Sequence, residues 1–176
     1  MKIAETAIIG CYVIEMDRLS DERGAFARAF CAETFADAGL PRDFPQCNLS
    51  YNIRRGTLRG MHFQRAPHEE GKLVRCVRGA IMDVAVDLRR ESPTYLRVVS
   101  EILTADNGRA LYLAPGLAHG FQTLEDNTDV FYQMSAIYSP GFADGIRWND
   151  PVVSVTWPIS APTLSPRDAT YPDWSA

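Results

Sequence analysis

No apolar run in this chain travels far before a glycine or a proline stops it: 12 glycines and 11 prolines are spread through 176 residues. Between these stops the apolar residues alternate rather than recur at helical spacing. "GAIMDVAVDL" is the clearest run. Met82, Val84, Val86 and Leu88 fall on one face of an extended strand, and Ile81, Asp83, Ala85 and Asp87 on the other. "KLVRCV" precedes it, and Arg78-Gly79 between them reads as a hairpin turn. "ALYLAPGLAHGFQTL" reads as strand, Pro-Gly turn, strand. "TDVFYQMSAIY" is a further strand, with Val130, Tyr132, Met134 and Ala136 sharing a face. Only two short helices are expected. One is "CAETFADAG", stopped by Gly39; the other starts at Pro166 with Ser165 as its cap. Many short strands between turns predict an all-β sandwich or barrel, not a βαβ fold. The length suits one domain over residues 1–176.

With 46% hydrophobic and 23% charged residues, the chain has the composition of a packed globule. No stretch is apolar for the ~18 residues a membrane span needs, and the first residues do not read as a signal peptide. Four scattered cysteines, Cys11, Cys31, Cys47 and Cys76, form no C-x-x-C pair. They read as free thiols of a cytoplasmic protein. A net charge of −4 argues against a nucleic-acid partner. It leaves room for a small anion held by a local arginine cluster.

The positive charges are unevenly chosen. Of 18 basic residues, only Lys2 and Lys72 are lysines. Lysine is a compact ammonium and arginine a planar fork, so Lys72 stands out as a position where a point charge is wanted.

The histidines are equally sparse: His62, His68 and His119. His62 lies in "GTLRGMHFQ", three residues after Arg59. It can be a satisfied core histidine, a metal ligand or a base. A cupin metal site takes a His-x-His pair, and the residue two beyond His62 is Gln64; a facial triad would lack one of its ligands. Acid–base chemistry asks for a tuned base, an acid and a group that holds negative charge. His62 or His119, Tyr132 and Lys72 are candidates. Asp83 or Asp168 could fix an imidazole tautomer. Taken alone, Tyr132 between Val130 and Met134 is equally a core tyrosine. Gly60 and Gly120, beside the two histidines, leave room for a ligand or another backbone.

Seven segments now stand in order: "DERGAFARAF", "QCNLSYNIRRGTLRGMHFQ", "KLVRCVRGAIMDVAVDLRRESPTY", "PGLAHGFQTLED", Tyr138-Ser139-Pro140, "GIRWNDP" and "LSPRDA". Together they resemble the dTDP-4-dehydrorhamnose 3,5-epimerases over nearly the whole chain. The resemblance implies a cupin-like jelly-roll sandwich with short peripheral helices. It also implies a homodimer that needs neither metal nor other cofactor and acts on a nucleotide-linked 4-keto sugar. It makes His62 the general base, with Asp168 as its partner. Tyr132 becomes the acid on the opposite face, and Lys72 the cation beside the enolate oxygen. His119 becomes a second site histidine, partnered by Asp83. Arg23 and Arg59 would grip the diphosphate, Arg23 from an N-terminal strand that reaches into the neighbouring subunit. Gln46 and Asn48 would contact nucleotide and sugar, and Tyr138 would stack on the base.

Two segments depart from the family pattern. Arg28 stands where many relatives carry a glutamate near the nucleobase. Ala143 and Asp144 precede "GIRWNDP" where glutamate is frequent. Both departures bear on the nucleotide end of the substrate. Three rivals accompany the double epimerase: a single-carbon epimerase, a ketoisomerase on the same fold, and a metal-dependent or non-catalytic cupin.

Overall fold

The computed structural model describes residues 1–175. Its strands are β1 (Lys2–Glu5), β2 (Cys11–Glu15), β3 (Arg18–Asp21), β4 (Gly24–Ala27), β5 (Gln46–Asn52), β6 (Leu58–Gln64) and β7 (Lys72–Arg78). They continue as β8 (Ala80–Asp87), β9 (Val98–Thr104), β10 (Arg109–Leu113), β11 (Leu117–Thr123), β12 (Thr128–Met134) and β13 (Ala143–Gly145). The helices are α1 (Ala32–Asp37) and α2 (Pro166–Thr170). Two antiparallel sheets form a jelly-roll sandwich, as expected. One is six-stranded in the order β1-β2-β10-β7-β12-β5, and the other five-stranded in the order β13-β6-β11-β8-β9. Strands β3 and β4 make a separate two-stranded hairpin.

Three apolar layers explain why the strands read as they do. Between the sheets, Val74 and Cys76 of β7 meet Ile81 and Ala85 of β8, with Leu103, Leu111, Phe121 and Val130. The outer face of the five-stranded sheet, with Met61, Met82, Val84 and Val86, lies under the C-terminal segment carrying Trp157 and Trp174. The outer face of the six-stranded sheet, with Leu73 and Tyr112, is covered by α1 and its flanks. There Phe35 is fully buried against Phe30 and Phe44, a contribution of ~1.5–3 kcal/mol. Covering both faces is why every residue of β8 is buried.

The hairpin expected at Arg78-Gly79 does not form. β7 and β8 belong to different sheets, and Gly79, at φ +74°, turns the corner between them. Crossing over puts the two strands in opposite sheets, where their inward apolar residues share one core. The Pro115-Gly116 turn likewise carries the chain from β10 in one sheet to β11 in the other. β12 ends at Met134, so Ala136 lies beyond the strand. The two helices stop and start where expected, with Gly39 at φ +71° after α1 and the Ser165 side chain capping α2.

Candidate active site

The sandwich interior opens into a cavity of about 440 Å³, within the range of small-molecule sites. Both sheets line it. The five-stranded sheet supplies Arg59 and His62 from β6 and His119 and Phe121 from β11. The six-stranded sheet supplies Gln46 and Asn48 from β5, Lys72 from β7, and Tyr132 and Met134 from β12. Tyr138, Asp144, Arg167 and Asp168 complete the wall.

Strict alternation would send Arg59 and His62 to opposite faces of β6. A bulge prevents this. His119 pairs with His62 and Phe121 with Arg59, so three steps along β6 oppose two along β11. Met61, inside the bulge, turns into the layer beneath the C-terminal segment. Gly60 and Gly120 make the irregularity possible, since a Cβ on Gly60 would lie 2.5 Å from the Gly120 Cα. The small residues beside the histidines therefore serve contact between backbones.

His62 Nε2 lies 2.6 Å from Asp168 Oδ1. A carboxylate can only accept, so Nε2 carries the proton and Nδ1 keeps the lone pair. Asp168 is buried on α2, where its N–H donates to the Ser165 Oγ cap at 3.1 Å. The Tyr171 ring stands edge-on to the imidazole, 5.8 Å between centroids. On the neighbouring strand, His119 Nε2 lies 2.8 Å from Asp83 Oδ1. Asp83 is fully buried. That burial raises its pKa, while the His119 and Lys72 charges pull the other way.

Lys72 is buried on the facing sheet. Its Nζ lies 3.0 Å from Glu70 Oε1 and donates to the His62 carbonyl oxygen at 3.1 Å. Burial raises the Tyr132 pKa against a smaller lowering by Arg59, so its hydroxyl stays protonated at neutral pH. Arg59 Nε donates to Asn52 Oδ1 at 2.8 Å. The Gln46 amide bridges to Asn48 Oδ1 and accepts the Tyr138 N–H.

Of the residues singled out in the sequence, His62, Lys72, Tyr132, Asp168, His119, Arg59, Gln46, Asn48 and Tyr138 come together around this cavity. Asp83 stands directly behind His119. Arg23 and Arg28 are not brought to it. Arg23 occupies the turn between β3 and β4, not a strand, and pairs with Asp21. Arg28 follows β4 on the exposed surface. Gln64 is committed to the fold: its Oε1 accepts the Ser139 N–H at 2.6 Å and its Nε2 donates to the His68 carbonyl at 2.9 Å. Among the described residues, no three His, Cys, Asp or Glu side chains gather as metal ligands.

Glu70, Arg167 and Tyr171 were not foreseen. Glu70 precedes Lys72 by two residues, the spacing that puts neighbours on one side of an extended chain, and that signal was legible. Arg167 adjoins Asp168; its guanidinium lies over the Tyr171 ring at 5.5 Å and beside the Tyr138 hydroxyl, which raises its pKa.

Two carboxylate-held imidazoles, a buried ammonium and a protonated phenol share one jelly-roll cavity, a set suited to acid–base chemistry. Similarity to known proteins gives the family. Residues 5–176 match the family model described as dTDP-4-dehydrorhamnose 3,5-epimerase. The chain belongs to that family, whose members are isomerases of the epimerase type. It is 41% identical to the dTDP-4-dehydrorhamnose 3,5-epimerase of Salmonella typhimurium, over 98% of this chain and 94% of that protein. It is also 39% identical to the dTDP-4-dehydrorhamnose 3-epimerase of Streptomyces niveus, over 96% and 81%. The crystal structure of the Bacillus anthracis 3,5-epimerase, with TDP and PPi bound, superposes with a TM-score of 0.96 at 38% identity, covering 98% of this chain and 99% of that one.

Proposed function

We propose that this chain inverts carbon 3 and carbon 5 of dTDP-4-dehydro-6-deoxy-D-glucose, giving dTDP-4-dehydro-L-rhamnose, without a metal. The observation that carries the reading is the division of acid and base between the sheets. His62, held by Asp168, comes from one sheet and Tyr132 from the other, and both line the same cavity. A proton on carbon 3 or carbon 5 flanks the carbonyl at carbon 4. His62 removes it, and the charge moves to the carbonyl oxygen as an enolate. The Lys72 ammonium stabilises that oxygen. Tyr132 then returns a proton to the other face, which inverts the carbon.

Arg59 takes the diphosphate on its guanidinium, and Tyr138 stacks on the base. Arg23 completes the site from a second copy, in a homodimer. Two features support the dimer. The hairpin exposes Leu19 at 70% and Phe26 at 69%. The outward face of edge strand β5 exposes Leu49 and Tyr51, while its inward face carries Gln46 and Asn48. Metal independence is supported by the backbone hydrogen bonds that occupy Gln64, the residue in the second ligand's place.

A second reading, inversion of carbon 3 alone, is favoured by the similarity to the 3-epimerase relative. NMR of the reaction in deuterated water tests both. The double epimerase incorporates deuterium at carbons 3 and 5, at a rate unchanged by chelators. Label at carbon 3 alone selects the second reading. No label at either carbon, or activity that follows a bound metal, overturns the proposal.

A further inference from the structure

We propose that Glu70 is a positioning residue for this reaction: it anchors the Lys72 ammonium so that one N–H remains for the substrate's carbonyl oxygen. The inference rests on the epimerase reading above. An ammonium has three donors. One meets Glu70 Oε1 at 3.0 Å and one meets the His62 carbonyl at 3.1 Å. The third is left for the cavity that both side chains line. The bond to the His62 carbonyl also ties Lys72, on one sheet, to the backbone of the base on the other.

The local chain is built for this pair. Gly71 lies tight against β10; a Cβ there would come 2.9 Å from the Tyr112 hydroxyl and 3.1 Å from the Leu113 carbonyl. Its N–H donates to Ser135 Oγ at 2.7 Å, and its carbonyl accepts the Ser135 N–H at 2.9 Å. Residues 70 and 72 are thereby held side by side, with side chains only 3% and 8% exposed. A lysine stem is flexible, and without Glu70 only the His62 carbonyl would hold the ammonium. Glu70 Oε2 has no hydrogen-bond partner among the described residues, so Lys72 is the ion that compensates this buried carboxylate.

Steady-state kinetics and deuterium incorporation on wild type, Glu70→Ala and Glu70→Gln test the inference. Wild-type turnover tests the epimerase reading first, and failure there is separate from failure of the variants. Glu70→Ala should lower kcat by about 10- to 100-fold, the scale of a displaced catalytic group, with KM within about threefold of wild type. Glu70→Gln keeps an amide oxygen for Nζ and should restore kcat to within about threefold. Wild-type kcat in the alanine variant overturns the proposal, as does a folded glutamine variant that is as slow as alanine. If circular dichroism finds the alanine variant unfolded, Glu70→Asp replaces it. That change keeps the charge but withdraws the carboxylate by one methylene, so it must be slower than Glu70→Gln; equal or faster turnover overturns the proposal.

Discussion

The cavity holds the same pair twice. His62 with Asp168 and His119 with Asp83 are both imidazole–carboxylate contacts through Nε2, at 2.6 and 2.8 Å, on residues that face each other across β6 and β11. Their surroundings differ. The His62 side chain is 39% exposed, and its aspartate arrives on a short helix from the far end of the chain. The His119 side chain is 9% exposed, and its aspartate is a fully buried residue of the adjacent strand. An imidazole that must take up a proton needs space for substrate and a partner that stabilises its cation. One that is nearly closed off is suited to hold a fixed orientation. The difference teaches that the pair alone does not mark a base: both imidazoles line the cavity, and their exposure sets them apart.

The sharpest way to break this comparison is to remove each histidine. His62→Ala should lower deuterium entry at carbons 3 and 5 by about 100-fold or more, the loss of a positioned base. His119→Ala should leave entry measurable by the same NMR assay. Equal losses would erase the distinction between the pairs.

The aspartates give the next largest effect. Asp168→Asn should slow turnover by about 10-fold, less than removing His62, because the base remains but loses the charge that stabilises its cation. Its melting temperature should stay near wild type. An unchanged rate with an unchanged pH profile would count against the dyad.

Asp83→Asn should instead be read in stability. Burial raises the Asp83 pKa above its ordinary carboxylate value, so the folded state holds this proton more tightly than the unfolded chain. Between the two pKa values the folded protein binds more protons, and stability falls as pH rises. The asparagine variant lacks that loss. Its melting temperature relative to wild type should therefore climb as pH rises from about 4 toward neutrality. A difference that is flat with pH, measured by scanning fluorimetry, would sink the argument.

The smallest effect is expected at the cap. Ser165→Ala removes the acceptor for the Asp168 N–H, at a cost of ~1 kcal/mol. Turnover should fall only a few-fold, since the Asp168 carboxylate that meets His62 remains. A loss as large as that of Asp168→Asn would mean that the cap, not the carboxylate, governs the dyad.

Much of this molecule is determined by sequence acting locally. The alternation in β8, the stop at Gly39 and the cap-and-proline start at Ser165-Pro166 are written within a few residues, because backbone geometry couples near neighbours. Candidate residue types for the site were legible too, since the sparse histidines and a lone internal lysine are conspicuous in so arginine-rich a chain. Tertiary structure decided the rest. Whether β7 and β8 pair as a hairpin or part into opposite sheets depends on which faces find cover elsewhere, and no turn signal carries that information. The bulge in β6 reverses the side-chain parity of the strand, so Arg59 and His62 share a cavity that strict alternation would deny them. Asp168 reaches His62 from 106 positions away, and Glu70 acquires its place only when Gly71 packs against β10. A period-two pattern tells which residues of one strand point together; only packed sheets decide what they point at.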